Sequence, residues 1–158
     1  MVISKNKKAE ISAFFYDIIS LGGIMEEEYY TGYVNGIFNM VSYNMGPSYM
    51  EARCFKKKDI KKDIIDYFAI KEKDFDLKRE DTSYQELLKN ILNISDKELD
   101  TLFHFLNIRF GEAKEIYRIE NKKVINQIEM EAPFFFLEDC FLIMFAKVYI
   151  FIMIGNDE

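Results

Sequence analysis

The chain has 158 residues, of which 49% are hydrophobic and 30% charged, and its net charge is −6. This composition is typical of a water-soluble globular protein and excludes the weakly hydrophobic, highly charged class that stays disordered. The acidic balance argues against general binding to nucleic acid or anionic lipid, because a polyanion needs a positive surface field. We therefore expect a single domain over residues 1–158, with no direct nucleic-acid binding and no membrane binding.

The first predicted element is an amphipathic helix near the amino terminus. Gly22 and Gly23 provide a natural end for it. A strand from Ala13 to Ile19 is the alternative, because the segment is rich in aromatic and β-branched residues. The apolar residues that recur at helical spacing are Ile11, Phe14, Phe15, Ile18 and Ile19.

The next segment, from Tyr29 to Met50, contains no charged side chain. Its tyrosines and asparagines combine large contact area with adaptable hydrogen bonds, which favours a partner-binding or self-association surface. A sheet packed beneath helices is the other interpretation, since buried strands also exclude charge. The candidate partner-binding residues are Tyr29, Tyr30, Tyr33, Asn35, Asn39, Tyr43 and Tyr49.

An amino-terminal β-hairpin is predicted within and after this segment. Residues Tyr49 to Lys56 alternate between apolar and charged side chains, as in a strand with one wet face. Gly46 and Pro47 indicate a turn before that strand, and Ile37 to Tyr43 is its predicted partner. The acidic run from Glu26 to Glu28 is interpreted as solvated chain around a turn.

The middle third of the chain predicts three helices with polar start signals. Asp59 is the predicted N-cap of the first helix. Ser83 with Glu86 and Ser95 with Glu98 have capping-box spacing before apolar residues at helical intervals. The third helix is expected to end near Gly111.

The last third predicts a meander of strands. A strand from Glu115 to Ile119 is followed by a turn at Asn121 and Lys122 and a second strand with Val124, Asn126, Ile128 and Met130 on one face. The long apolar run from Cys140 to Ile154 is expected to be covered on both faces and to bend near Ala146 and Lys147. Glu138 and Asp139 look like a turn before it, and these charges, with Lys147, argue against a membrane span from Phe134 to Gly155.

Together these elements predict an α+β fold with an antiparallel sheet of about five or six strands. The sheet would consist of the amino-terminal hairpin and the carboxy-terminal meander, with a helical insertion packed on one face.

Catalytic and metal-binding signatures are weak in this sequence. His104 is the only histidine, and Cys54 and Cys140 lie far apart among apolar residues. We therefore predict no catalytic set, no metal site and no cofactor. The two cysteines without a close partner, and the lack of a secretory signal pattern, indicate reduced thiols and a cytoplasmic location.

The sequence favours a small non-enzymatic protein-interaction factor of inhibitor, immunity or regulatory type, whose partner is another protein or a second copy of itself. A small-molecule-binding module or undescribed enzyme is the alternative, with a pocket between sheet and helices. Tyr49, Cys54, His104 and Lys147 are the polar or reactive groups that such a pocket would bring together. An acidic mimic of nucleic acid is the third hypothesis.

Overall fold

The computed structural model describes residues 26–40, 48–92, 94–131 and 136–156, without the side chains of residues 48, 49, 91, 92 and 156. These residues form five helices and five strands. The helices are α1 (26–40), α2 (Ile60–Phe68), α3 (Tyr84–Leu92), α4 (Asp96–Phe110) and α5 (Lys122–Glu131). The strands are β1 (Ser48–Lys56), β2 (Lys78–Arg79), β3 (Ala113–Ile119), β4 (Phe136–Phe145) and β5 (Val148–Asn156), and a 3₁₀ turn spans Glu72–Asp74.

All five strands belong to one antiparallel sheet, in the order β1-β5-β4-β3-β2. The α+β class and the antiparallel sheet are therefore confirmed. β4 and β5 form the centre of the sheet, and the predicted bend near Ala146 and Lys147 is the turn of the hairpin that joins them. No helix within the described ranges has the length and apolar content needed to cross a bilayer.

Side chains from both faces of the sheet are buried, in two separate clusters. Along β5, residues such as Ile150 and Ile152 face the cluster covered by α1, α3 and α4, whereas Phe151 and Met153 face the cluster covered by α2 and α5. The helices were predicted on one face, but they cover both. The physical reason is that the two central strands are apolar on both sides and each side must be shielded from water.

Two predicted strands are helical in the structure. The proposed hairpin partner from Ile37 to Tyr43 falls partly in α1, which continues to residue 40, while residues 41–43 lie outside the described residues. The predicted strand through Val124 is α5, in which Ile125 is also buried. The predicted helix from Ile11 to Ile19 lies outside the described residues too.

The predicted ends of α2 and α4 are confirmed. Asp59 accepts a hydrogen bond from the Lys62 amide at the start of α2. Ser95 and Glu98 form a complete capping box at the start of α4, which ends at Gly111.

The prediction for Glu138 and Asp139 is wrong, because both lie in β4, where the register shifts between Leu137 and Asp139. A bulge there displaces the ladder without reversing the chain.

The outer edge of β1 is hydrogen-bonded to α1. An edge strand normally exposes unpaired backbone groups, which invite pairing with another chain. Here three polar side chains, one helical turn apart, accept from alternate backbone N–H groups of β1. The pairs are Glu27 Oε1 with Lys56 N at 2.9 Å, Thr31 Oγ1 with Cys54 N at 3.0 Å, and Asn35 Oδ1 with Ala52 N at 2.7 Å.

The repeat distance along the helix is close to the repeat distance along the strand, so the pairing can recur at three positions. Four helical residues advance about 6 Å, and two strand residues advance about 6.6 Å. Asn35 completes the pairing because its Nδ2 donates to the Ala52 carbonyl at 2.8 Å. At the other edge of the sheet, β2 has only two residues, and so short a strand offers little template for pairing.

Ion pairs strengthen the same contact. Glu26 pairs with Lys56, and Glu28 Oε1 lies 2.7 Å from Nη1 of Arg53. The acidic run was interpreted as solvated chain around a turn, but it is the first described turn of α1. Its carboxylates are placed there by the basic side chains of β1, so α1 is fixed along the strand by both charge and hydrogen bonds.

Replacing Asn35 tests the edge pairing. Asn35→Ala should lower the free energy of unfolding by about 1–3 kcal/mol, because the N–H and C=O of Ala52 both lose their partner. Asn39→Ala is the matched control, since Asn39 is exposed on the same helix and should change stability by less than about 0.5 kcal/mol. Urea unfolding of both variants measures the difference, and equal losses would contradict the pairing.

Candidate protein-interaction surface

Three of the predicted partner-binding residues gather around one cation. The Arg109 guanidinium, near the end of α4, lies 5.2 Å from the ring centroid of Tyr29, 5.4 Å from that of Tyr30 and 5.8 Å from that of Tyr33. Tyr30 and Tyr33 also pack edge-on against Phe110. Cation–π attraction of this kind orders aromatic side chains that would otherwise move freely at the surface.

An apolar groove continues from this cluster between α1 and α4. The two helices run antiparallel, since Tyr29 lies beside Arg109 and the Tyr33 hydroxyl is 3.4 Å from the Phe105 carbonyl oxygen. The groove has a volume of about 190 Å³. Its lining residues are Tyr33, Ile37, Met40, Thr101, Leu102 and Phe105.

Two large apolar side chains of the groove, Met40 and Phe105, and two others on the same helices, Tyr29 and Ile108, are unusually exposed. Tyr29 is 58% exposed, Met40 80%, Phe105 45% and Ile108 68%. Several exposed apolar side chains on two neighbouring helices are typical of an interaction site, whereas single exposed apolar residues are ordinary. We define the α1–α4 surface by six residues: Tyr29, Tyr33, Met40, Phe105, Ile108 and Arg109.

The remaining predicted residues have other positions. Asn35 faces β1 and is used in the edge pairing, so it does not contribute to the surface. Asn39 is exposed on α1. Tyr43 lies outside the described residues, and Tyr49 is described only by its backbone in β1.

Sequence reasoning missed the contribution of α4. Phe105, Ile108 and Arg109 come from a helix that was interpreted only by its buried face. The signal was available, because Phe105 and Ile108 are large apolar residues that lie off the stripe buried in the core. That buried stripe consists of Leu99, Leu102, Phe103, Leu106 and Phe110.

Hydrogen bonding fixes the protonation of one tyrosine in this cluster. The Tyr30 hydroxyl donates to Glu26 Oε1 at 2.8 Å, and this hydrogen bond raises the pKa of Tyr30. The pKa of Glu26 is lowered chiefly by its contact with Lys56 and next by the Tyr30 hydroxyl. The phenol therefore remains protonated and its carboxylate partner ionised at neutral pH, so the arrangement is structural and supplies no ionised nucleophile.

A second concavity lies at the other side of α4, where β2 and β3 meet α3. This cleft has a volume of about 480 Å³, and its lining is largely polar. Its groups contact one another: Arg79 lies 3.9 Å from Glu115, and the Tyr84 hydroxyl donates to Asn107 at 2.9 Å. Burial raises the pKa of Tyr84 to about 12, so it too stays a neutral hydrogen-bonding group.

Of the four reactive groups considered for an enzyme, the three with described side chains lie on different elements. Cys54 is buried on β1, His104 is exposed on α4, and Lys147 is exposed in the turn between β4 and β5. The cleft and the groove are lined by other residues. Within the part of the chain that the structure describes, no group of three or more histidine, cysteine or acidic side chains is arranged to hold a metal ion.

No protein-family model, curated protein or solved structure matches this chain. Its function must therefore be argued from the chemistry of its own surface.

The two thiols provide a test of the view that no cysteine is reactive. Burial raises the pKa of Cys54 to about 12 and raises the pKa of Cys140 still further, and both side chains are fully buried. Only the thiolate reacts at a useful rate, so neither should be labelled by a maleimide in the folded protein at neutral pH. Met130→Cys is the positive control, because Met130 is 80% exposed.

Mass spectrometry of native and urea-unfolded samples measures the labelling. Both natural cysteines should react only after unfolding. Native labelling of either one at the rate of the introduced cysteine would contradict its placement in the core.

Proposed function

We propose that the protein is a small non-enzymatic interaction factor, of inhibitor, immunity or regulatory type, that binds another protein or a second copy of itself through the α1–α4 surface. The observation that carries this proposal is the ordered cluster of three tyrosines around Arg109 beside an exposed apolar groove. Tyrosine and arginine are among the residues most enriched in the small set that dominates binding energy at protein interfaces.

The arrangement also reduces the cost of binding. A flexible side chain loses about 0.5–1.5 kcal/mol of entropy when an interface immobilises it. Tyr30 and Tyr33 are already held by Phe110 and Arg109, so much of that cost is met before a partner arrives. A partner with an apolar ridge and an acceptor for the Arg109 guanidinium would fit this chemistry.

Two methionines of equal exposure allow a matched test. Met40 borders the groove, whereas Met130 lies on α5 at the opposite face of the sheet, and both are 80% exposed. Met40→Glu should weaken partner binding at least about tenfold, since a carboxylate would be buried without a partner at the interface. Met130→Glu should leave binding unchanged.

Affinity capture from a native lysate, combined with light scattering to detect self-association, measures both variants beside the unaltered protein. The proposal requires a captured protein or a dimer that Met40→Glu loses and Met130→Glu retains. A monomer that enriches no partner would contradict it, and so would a partner that both variants retain equally.

A further inference from the structure

We propose that the α1–α4 surface binds an amphipathic helix of a different protein, which supplies apolar side chains to the groove and a carboxylate to Arg109. This inference rests on the proposed function for its biological role and deepens it, because it selects one kind of partner. Every residue of the site belongs to α1 or α4, and all of them have described side chains.

The size of the groove favours side chains that project from a larger molecule. Pockets for drug-sized ligands and cofactors have volumes of about 300–1,000 Å³. The groove has a volume of about 190 Å³, and none of its described lining residues is charged. It therefore suits one or two apolar side chains better than a whole small molecule.

The shape of the surface favours a helix as the carrier of those side chains. α1 spans residues 26–40 and α4 spans Asp96–Phe110, so each helix is about 22 Å long. Two antiparallel helices side by side leave a furrow between them, and an amphipathic helix can lay its apolar face into such a furrow. A partner helix of about four turns would contact the whole length of the surface.

The outer side of α1 leaves room for this helix. Gly32 and Gly36 are exposed and lie one helical turn apart. A Cβ built on either glycine would meet no described atom within 4 Å. A partner backbone can approach α1 closely at these positions, because neither residue has a side chain to hold it away.

Arg109 supplies the charge that selects the partner. The ion pairs among the described residues include no carboxylate within 4 Å of its guanidinium, which is exposed. Glu26 near the other end of the tyrosine cluster is already bound by Lys56 and by the Tyr30 hydroxyl. The planar donors of Arg109 are thus available for a carboxylate of the partner, which they match in geometry.

The distance from the groove to Arg109 sets the spacing of the partner's residues. Arg109 follows Phe105 by four residues and Thr101 by eight, and both of these residues line the groove. The corresponding distances along α4 are about 6 Å and about 12 Å. A partner helix that lies along α4 should therefore carry its Asp or Glu about one to two helical turns from its apolar side chains.

Charge also favours a different protein over a second copy. The six residues that define the α1–α4 surface include one cation and no carboxylate. In a symmetric dimer the surface would face its own copy, so Arg109 would meet no acidic partner there. The other exposed large apolar residues in the described part of the chain are Tyr67, Met130 and Phe136. They lie on three different elements, so no described helix offers a second apolar ridge.

Selection from a displayed library of helical peptides tests this recognition. The bait is the full-length chain, and the library randomises one face of a helix of about 16 residues. Enriched peptides should carry apolar residues one turn apart and an Asp or Glu about one to two turns from them. Enrichment of peptides without that acidic residue would overturn the proposal. Equal enrichment by a Met40→Glu bait would also overturn it, because Met40 borders the groove.

A charge exchange on one enriched peptide tests the role of Arg109. Fluorescence anisotropy measures its affinity for each variant. Arg109→Gln, or Gln in place of the peptide's acidic residue, should each weaken binding about tenfold, and both changes together should weaken it no further. Lys147→Gln is the matched control, since Lys147 is an exposed cation in the turn between β4 and β5 and should leave binding unchanged.

Reversal of the charges separates direct contact from loss of folding. Arg109→Glu should bind the peptide that carries Lys in place of its acidic residue more tightly than the acidic peptide. A misfolded variant could not show this reversed preference. Additive losses in the Gln series, or an unchanged preference in Arg109→Glu, would overturn the proposal.

Failure of this proposal is distinguishable from failure of the proposed function. A natural partner that Met40→Glu loses, but that binds through an extended or a basic segment, would overturn the inference and retain the proposed function. A dimer that Met40→Glu loses would do the same. Acidic helical peptides that bind as expected, while a native lysate yields neither a partner nor a dimer, would overturn the proposed function and retain the recognition.

Discussion

The hydrogen-bonded contact between α1 and the edge of β1 determines much of the architecture. Side chains of Glu27, Thr31 and Asn35 occupy positions that a neighbouring strand would otherwise fill. This contact ends the sheet at β1 and also fixes the rotation of α1 about its own axis. With its polar stripe directed at the strand and Val34 and Phe38 in the core, the helix must present Tyr29 and Met40 to solvent. The exposure of the α1–α4 surface is therefore a geometric consequence of how the sheet edge is closed.

The same constraint explains an unusual composition. A segment without charge was expected to be either a buried sheet or a contact surface, and α1 combines burial with exposure on different sides of one helix. Two of the three side chains that bond to the β1 backbone, Thr31 and Asn35, are neutral, and only the third, Glu27, is charged. Within α1, charged side chains occur only at Glu26 to Glu28. Arg53 pairs with Glu28, and Lys56 pairs with Glu26.

Sequence reasoning succeeded where the signal was local and failed where two periodicities coincide. Asp59, Ser95 and Glu98 act within one helical turn, so their capping roles could be read directly. Residues four apart, such as Val124 and Ile128, share a face in a helix and also in a strand. The burial of Ile125 and the exposure of Asn126 and Met130 distinguish the helix α5 from the predicted strand. The sequence predicted the tyrosines of the site, because they lie in one short segment. It did not predict Arg109, because this residue contacts the tyrosines only through the packing of α4 against α1.

Backbone hydrogen exchange, followed residue by residue by NMR, tests the edge contact most directly. By the alternation of an antiparallel ladder, the amides of Arg53 and Phe55 face β5, and those of Ala52, Cys54 and Lys56 face α1. If α1 closes the edge as described, both sets should exchange at similarly slow rates. Rapid exchange of Ala52, Cys54 and Lys56 beside protected Arg53 and Phe55 would mean that the edge is open, and the orientation of α1 would lose its physical basis.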